Sequence, residues 1–270
     1  MALTAAPAVQ RWTVIRRYFA RGWVAAFVYC LGAALRLARF NTQVEVADKR
    51  FFQGMPSPAA ACLVAGVVVP GLVFAGLAED VVEAQPFGWD APTMLWLHDR
   101  GGVLAALVMN ALSVLGGVFG IGGVLAVSAL VLARRRHIGD AMFLIAAVLG
   151  AVLASVLVKE AVGRPRPDLG GNGYPVVGSS FPSGHAAGSA ALAVAIVVLT
   201  WGGRSRWLVV LATTGIAIGV GASRVWLGVH YPSDVLAGWC MGVAWAVGTL
   251  AVRGAATRRP KALNDVGPGS

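Results

Sequence analysis

The chain has 270 residues, of which 57% are hydrophobic and 13% charged, and 22 Lys and Arg against 12 Asp and Glu give a formal net charge of +10. A soluble domain carries about a quarter charged residues, so this composition, with a mean hydropathy of +0.73, excludes an ordinary soluble fold and implies an integral membrane protein. The basic residues lie between apolar runs rather than in one patch, which implies membrane topology and contact with anionic lipid, and argues against nucleic acid as a partner.

The first residues, "MALTAAPAVQRWTVIRRYFARGW", lack a compact basic–apolar–small-residue cleavage pattern, so no cleaved signal peptide is expected. Residues 21–40 are apolar but carry Arg21, Arg36 and Arg39; the alternatives are a helix in the cytoplasmic interface and a short seventh span, and the first is favoured because spanning would put basic residues on both sides. A bilayer core takes ~20 apolar residues per helix. The runs that meet or approach this are Ala59–Ala78, Ser113–Ala133, Ala141–Val158, Ala186–Trp201, Trp207–Ala222 and Val235–Val252, six expected spans. The stretch "TMLWLHDRGGVLAALVMNAL", 93–112, is split by His98, Asp99 and Arg100 and fits an interfacial helix better than a span. The expected fold is therefore all-α: a polytopic six-span bundle with N-terminal and interfacial helices. Residues 1–57 form a cytoplasmic or interfacial extension, 58–252 the six-span domain, and 253–270 a basic, disordered cytoplasmic tail. Cys30, Cys62 and Cys240 lie far apart inside apolar segments without CxxC spacing, so neither a disulfide nor a zinc site is expected.

Charge assigns the sides. Lys49 and Arg50, Arg134–Arg136, Arg204 and Arg206, and Arg253, Arg258, Arg259 and Lys261 all fall on one face of a six-span serpentine. The excess of cations makes that face cytoplasmic. The other face receives Glu79, Asp80 and Glu83, together with the loops 159–185 and 223–234. Those two loops also carry Lys and Arg, against the bias, which points to a task other than topology.

Three stretches meet on that outer face: "KEAVGRPRP" from Lys159 to Pro167, "PSGH" from Pro182 to His185, and "SRVWLGVHYPSD" from Ser223 to Asp234. Lys159, Arg166 and Arg224 are three fixed cations that match a phosphate dianion, arginine offering paired planar donors. Ser183 and Gly184 open a helix, whose unpaired N–H groups and dipole favour an anion, and Gly184 allows close approach. His230 and Asp234 stand four residues apart at a helix start, near enough for the carboxylate to accept the Nδ1 proton and leave Nε2 free as a nucleophile. His185 on the neighbouring helix is then available as general acid. The set calls for no metal and no cofactor.

K-x6-RP, PSGH and SR-x5-H-x3-D, in this order and spacing, resemble the three-part signature of the type 2 phosphatidic acid phosphatase family, over roughly residues 88–252 with the signature region at 159–234. The resemblance implies a helical core, a metal-independent mechanism and a phosphohistidine intermediate, with His230 as nucleophile, Asp234 its partner, His185 the general acid, and Lys159, Arg166, Ser183, Gly184 and Arg224 holding phosphate. The membrane spans direct it to the branch acting on lipid phosphates and diphosphates, such as undecaprenyl diphosphate, phosphatidylglycerol phosphate or phosphatidic acid, in the inner membrane with the site facing the periplasm. Transfer to an acceptor other than water uses the same residues, and a non-catalytic lipid-phosphate binding or transport protein would keep the pocket, so both remain alternatives. A weaker resemblance links "GAALRLARFN" and "DKRFFQGMPSPAAA", within 32–61, to bacterial phosphatidylserine synthases; the aspartate cluster those enzymes use is missing from this chain. His98 and His137 read as interfacial residues, Trp96, Trp226 and Tyr231 as interface anchors, and Arg164, outside the signature, as a snorkelling span end.

Overall fold

Where a chain lies in lipid, every backbone N–H and C=O must be satisfied within the segment, which leaves the helix as the economical solution for apolar runs of this kind. The computed structural model describes residues 64–85, 87–167 and 178–257, and among them the secondary structure is helical with no strand. The expectations for 21–40, Cys30, Cys62, the extension 1–57 and the tail beyond 257 lie outside the described residues. A π-helical turn, Val64–Val68, belongs to a separate compact unit. From Val69 onward the described helices are α1 (Val69–Val82), α2 (Asp90–His98), α3 (Val103–Leu115), α4 (Val118–Arg134), α5 (Ile138–Val162), α6 (Gly184–Thr200), α7 (Arg206–Trp226) and α8 (Pro232–Thr257). The chain is an all-α, multi-pass membrane protein.

The number of spans differs from the expected six. Among the described residues four helical segments are long and apolar enough to cross a bilayer, Val64–Val82, Ile138–Val162, Arg206–Trp226 and Pro232–Gly254, and a fifth if the pair α3 and α4 counts as one. The expected continuous span Ser113–Ala133 is broken: α3 and α4 meet at a 50° bend. The break falls at a close approach, where a Cβ at Gly116 would sit 2.1 Å from the Val220 side chain. The expected interfacial helix 93–112 is likewise two helices, α2 and α3, parted at residues 99–102. The fourth expected span, Ala186–Trp201, is α6, which has only 17 residues, about 25 Å of helix against a core of about 30 Å.

That short helix is nonetheless the centre of the packing. Lipid tails are as apolar as leucine, so helices in a bilayer hold together by close van der Waals fit rather than by hydrophobic exclusion, and small residues permit it. The α6 sequence "GHAAGSAALA" buries Ala186, Ala187, Gly188, Ser189, Ala190, Ala191 and Ala195. Facing it on α8 are Gly238 and Gly242, four apart, where a Cβ would come within 2.5 Å of the Ser183 carbonyl oxygen and 2.3 Å of that of Ala187. Larger residues fill one half of the bundle, where Phe143, Leu144 and Val148 of α5 pack with Ile121 and Leu125 of α4. At the opposite end Phe181 packs with Leu77 and Ala237. The C-terminus of α5, the N-terminus of α6, the C-terminus of α7 and the N-terminus of α8 therefore share one end of the bundle.

Candidate active site

Each helix terminus at that end is shaped by local sequence. Gly163 ends α5 in the left-handed region (φ 68°) and its N–H bonds the Lys159 carbonyl at 3.0 Å, a glycine C-cap. Pro165 and Pro167 then prevent further helix. Ser183 is the N-cap position of α6 in extended conformation, and its N–H donates to the Asp234 carbonyl at 2.9 Å. Pro232 opens α8, where its missing N–H costs nothing.

The structure brings together the residues expected from the sequence. The Arg166 guanidinium donates through Nε to Gly178 O at 3.0 Å and through Nη1 to Val229 O at 2.9 Å, and Nη1 lies 3.4 Å from His230 Nε2. Lys159 Nζ donates to Ser179 O at 3.2 Å. On the other side of the His230 ring, Nδ1 is 3.5 Å from Asp234 Oδ2, an ion-pair contact rather than an aligned hydrogen bond. That carboxylate oxygen also accepts the Tyr231 N–H at 2.9 Å. His230 and Asp234 are both almost wholly buried. Burial pushes the His230 imidazole down from its usual value to about 4, against the raising pull of the Asp234 carboxylate. Burial also lowers the Arg166 guanidinium. A neutral imidazole at ordinary pH keeps its lone pair available.

His185 lies on the first turn of α6, within charge–charge range of Arg224, His230, Lys159 and Arg166. The α3–α4 break forms a wall beside it, since a Cβ at Gly117 would lie 3.5 Å from His185 Nε2. The same break delivers Ser113, whose Oγ accepts from buried Arg224 Nη1. The Ser183 hydroxyl is enclosed and has no hydrogen-bond partner among the described residues. Gly184 leaves room beside Ser155 Oγ, which a Cβ would approach to 3.2 Å.

Sequence reasoning missed a second layer. Arg164, read as a snorkelling span end, points inward instead. Its Nη1 donates to Asp234 Oδ1 at 2.5 Å and to Ser233 Oγ at 2.8 Å, and its Nη2 to Asp90 Oδ2 at 2.9 Å. Its guanidinium stacks over the Tyr231 ring, 4.1 Å from the centroid, so Tyr231 is more than an interface anchor. Asp90, on α2 and buried, also accepts the Ser233 N–H at 2.9 Å and the Ser233 hydroxyl at 2.6 Å. The signal for Arg164 was present: it is a cation in a loop whose face the charge bias would leave poor in cations, like Arg166. The signal for Asp90 was not, because its partners are distant in sequence. His98 and Trp226 form a joint of their own, His98 Nδ1 lying 3.0 Å from Trp226 O and Trp226 Nε1 donating to Arg100 O at 3.4 Å.

The chain that carries this site is similar to known proteins. Residues 140–258 match the PAP2 superfamily. The match bears out the resemblance carried by the three motifs, though it begins at Asp140 and leaves α1 to α4 outside. Phosphatidylglycerophosphatase B of Bacillus subtilis is 35% identical over 99 residues, 34% of this chain and 47% of that protein. An undecaprenyl-diphosphatase of Sulfolobus acidocaldarius is 32% identical over 125 residues, 42% of this chain and 54% of that protein. The chain thus spans about half the length of these curated relatives. The crystal structure of a transmembrane PAP2-type phosphatidylglycerolphosphate phosphatase from Bacillus subtilis superposes with a TM-score of 0.63 at 23% identity, covering 72% of this chain and 98% of that one, a likeness of fold. The weaker synthase resemblance also has a counterpart: a CDP-diacylglycerol–serine O-phosphatidyltransferase of Mycobacterium leprae is 38% identical over 74 residues, 26% of this chain.

Proposed function

We propose that the chain is a membrane lipid phosphatase that removes phosphate from lipid phosphomonoesters or diphosphates through a phosphohistidine. The observation that carries this reading is the environment of His230: Arg166 stands 3.4 Å from Nε2 and the Asp234 carboxylate 3.5 Å from Nδ1. Asp234 accepts the Nδ1 proton and leaves the Nε2 lone pair directed at the cationic side, where a phosphate would lie. Lys159, Arg166 and Arg224, with the N-terminal N–H groups of α6 around Ser183 and Gly184, hold the phosphate and stabilise charge on its equatorial oxygens. In the first step the Nε2–phosphorus bond forms and the bond to the leaving oxygen breaks, His185 supplying the proton to that oxygen. In the second step His185 takes a proton from water, the water oxygen bonds to phosphorus, and the Nε2–phosphorus bond breaks, releasing inorganic phosphate.

The lipid tails stay in the bilayer while the headgroup enters the polar end of the bundle. Isoprenoid diphosphates and phosphatidylglycerol phosphate lead the substrate candidates, since relatives carry those activities in their names; phosphatidic acid follows on the resemblance. The site faces the periplasm from the inner membrane, the reading favoured by the cationic loops at the opposite end. The test is phosphate release in detergent from a panel of these lipids, with and without EDTA, by the wild-type chain and by His230→Ala. Release that survives EDTA and vanishes in His230→Ala is expected. Substantial turnover by folded His230→Ala overturns the mechanism.

A further inference from the structure

Asp234 does not meet His230 alone. Its Oδ1 is held by Arg164 at 2.5 Å while its Oδ2 faces His230 Nδ1. Arg164 is in turn held from behind by Asp90 at 2.9 Å, and Asp90 reaches the first turn of α8 through both the N–H and the hydroxyl of Ser233. All three charged side chains are shielded, at 15%, 5% and 0% exposure for Arg164, Asp90 and Asp234. Burying an arginine between two carboxylates is expensive unless the geometry is good and the remaining hydrogen-bonding positions are filled. Here both terminal nitrogens of the guanidinium are engaged, Nη1 by Asp234 and Ser233 and Nη2 by Asp90, and Tyr231 stacks against its face. A surface ion pair would not require such a setting.

We infer that Arg164 and Asp90 are positioning residues for the His230–Asp234 pair: Arg164 fixes the rotamer and charge of Asp234, and Asp90 fixes Arg164 and balances its charge. This inference rests on the histidine mechanism proposed above. Arg164 occupies one oxygen of Asp234, so the other, which the Tyr231 N–H also anchors, is turned to the His230 ring, and the imidazole is held in one tautomer and one orientation. Asp90 ties the same guanidinium to α2, an element outside the signature region, so the relay is braced by two helices. The groups facing His230 and Asp234 are Arg164 and Arg166 from the segment after α5, Lys159 of α5, His185 of α6, Arg224 of α7 and Asp90 of α2.

Charge gives the role a signature that packing alone lacks. Removing the Arg164 cation makes protonation of the His230–Asp234 pair easier, so the acid limb of kcat/KM moves to higher pH. Removing the Asp90 anion leaves the cation less balanced, makes protonation harder and moves that limb to lower pH. Arg164→Gln, Arg164→Lys and Asp90→Asn are assayed with His230→Ala as control, each checked for folding by gel filtration and thermal midpoint in detergent. Arg164→Gln is expected to lose about ten- to a hundredfold in kcat, with KM within about threefold of wild type. Arg164→Lys, which keeps the charge but not the fork, recovers part of the loss. If Arg164→Gln does not fold, the pH profiles of Arg164→Lys and Asp90→Asn carry the test. Folded variants with wild-type kcat, or acid limbs that stay put or move together, overturn the inference. Activity in His230→Ala overturns instead the mechanism on which it rests.

Discussion

Ser183 has its hydroxyl enclosed at the N-terminus of α6 with no hydrogen-bond partner among the described residues. A buried donor left unmade costs roughly 1–3 kcal/mol, so a chain that keeps one has a use for it. A bound phosphate oxygen would complete the bond and recover the loss. Ser183→Ala is therefore expected to keep or slightly raise the thermal midpoint while weakening inhibition by orthovanadate about tenfold. A lower midpoint with unchanged vanadate inhibition would make Ser183 a packing residue only. Lys159, Arg166, Ser183, Gly184, His185, Arg224, His230 and Asp234 were legible because each belongs to a short motif whose spacing tracks one helix end. Arg164 and Asp90 were not, since their bond joins positions 74 residues apart and no local spacing encodes it. Tyr231 was half legible: an aromatic near a membrane surface reads as an anchor, and only the structure shows the guanidinium over its ring.

Helices α6 and α8 cross where Gly238 and Gly242 admit the backbone of α6, and the Ser183 N–H bond to Asp234 O lies at the same crossing. The spacing of the site thus depends on two missing side chains. Gly242→Ala would place a methyl 2.3 Å from the Ala187 carbonyl oxygen, backbone that cannot yield, and overpacking of this kind costs about 1–3 kcal/mol. The expected result is a thermal midpoint lower by roughly 3–10 °C in detergent, with activity falling alongside as the two helix ends separate. Gly248 lies on the same helix with nothing within 4 Å of a Cβ, so Gly248→Ala should hold or raise the midpoint; equal losses in both variants would remove the close crossing as the cause. Helix identity in this chain follows directly from apolar runs, and α5, α7 and α8 lie where hydropathy puts them. The break between α3 and α4 was hidden because the packing at it, Val220 against Gly116, comes from a helix about a hundred residues away. A glycine pair inside an apolar run is common in membrane helices and does not by itself announce a bend.

The bundle has two chemically different ends. At one, Arg253 of α8 donates to Asp140 Oδ1 of α5 at 2.5 Å, close to the arginine-bearing turns after α4 and α6. At the other, Arg164 meets both Asp90 and Asp234, His230 meets Asp234, and Lys159, Arg166 and Arg224 donate to carbonyl or hydroxyl oxygens. The number of cations at each end is thus a poor guide to topology, since Arg164 and Arg166 at this end are held by carboxylate and carbonyl oxygens of the protein itself. This is why the loops 159–185 and 223–234 oppose the charge bias without reversing it. The helix α5, with 25 residues, extends about 37 Å, enough to hold the two ends on opposite sides of a bilayer. Orientation is testable with single cysteines after Cys30, Cys62 and Cys240 are replaced. Glu160→Cys, exposed at the site end, is expected to react with a membrane-impermeant maleimide in intact cells. Gly202→Cys, in the turn after α6 where a Cβ meets nothing within 4 Å, should react only after permeabilisation. Reaction in the reverse order would put the site in the cytoplasm, where it would meet lipid phosphates of the inner leaflet, and the positive charge at the opposite end would then need another explanation.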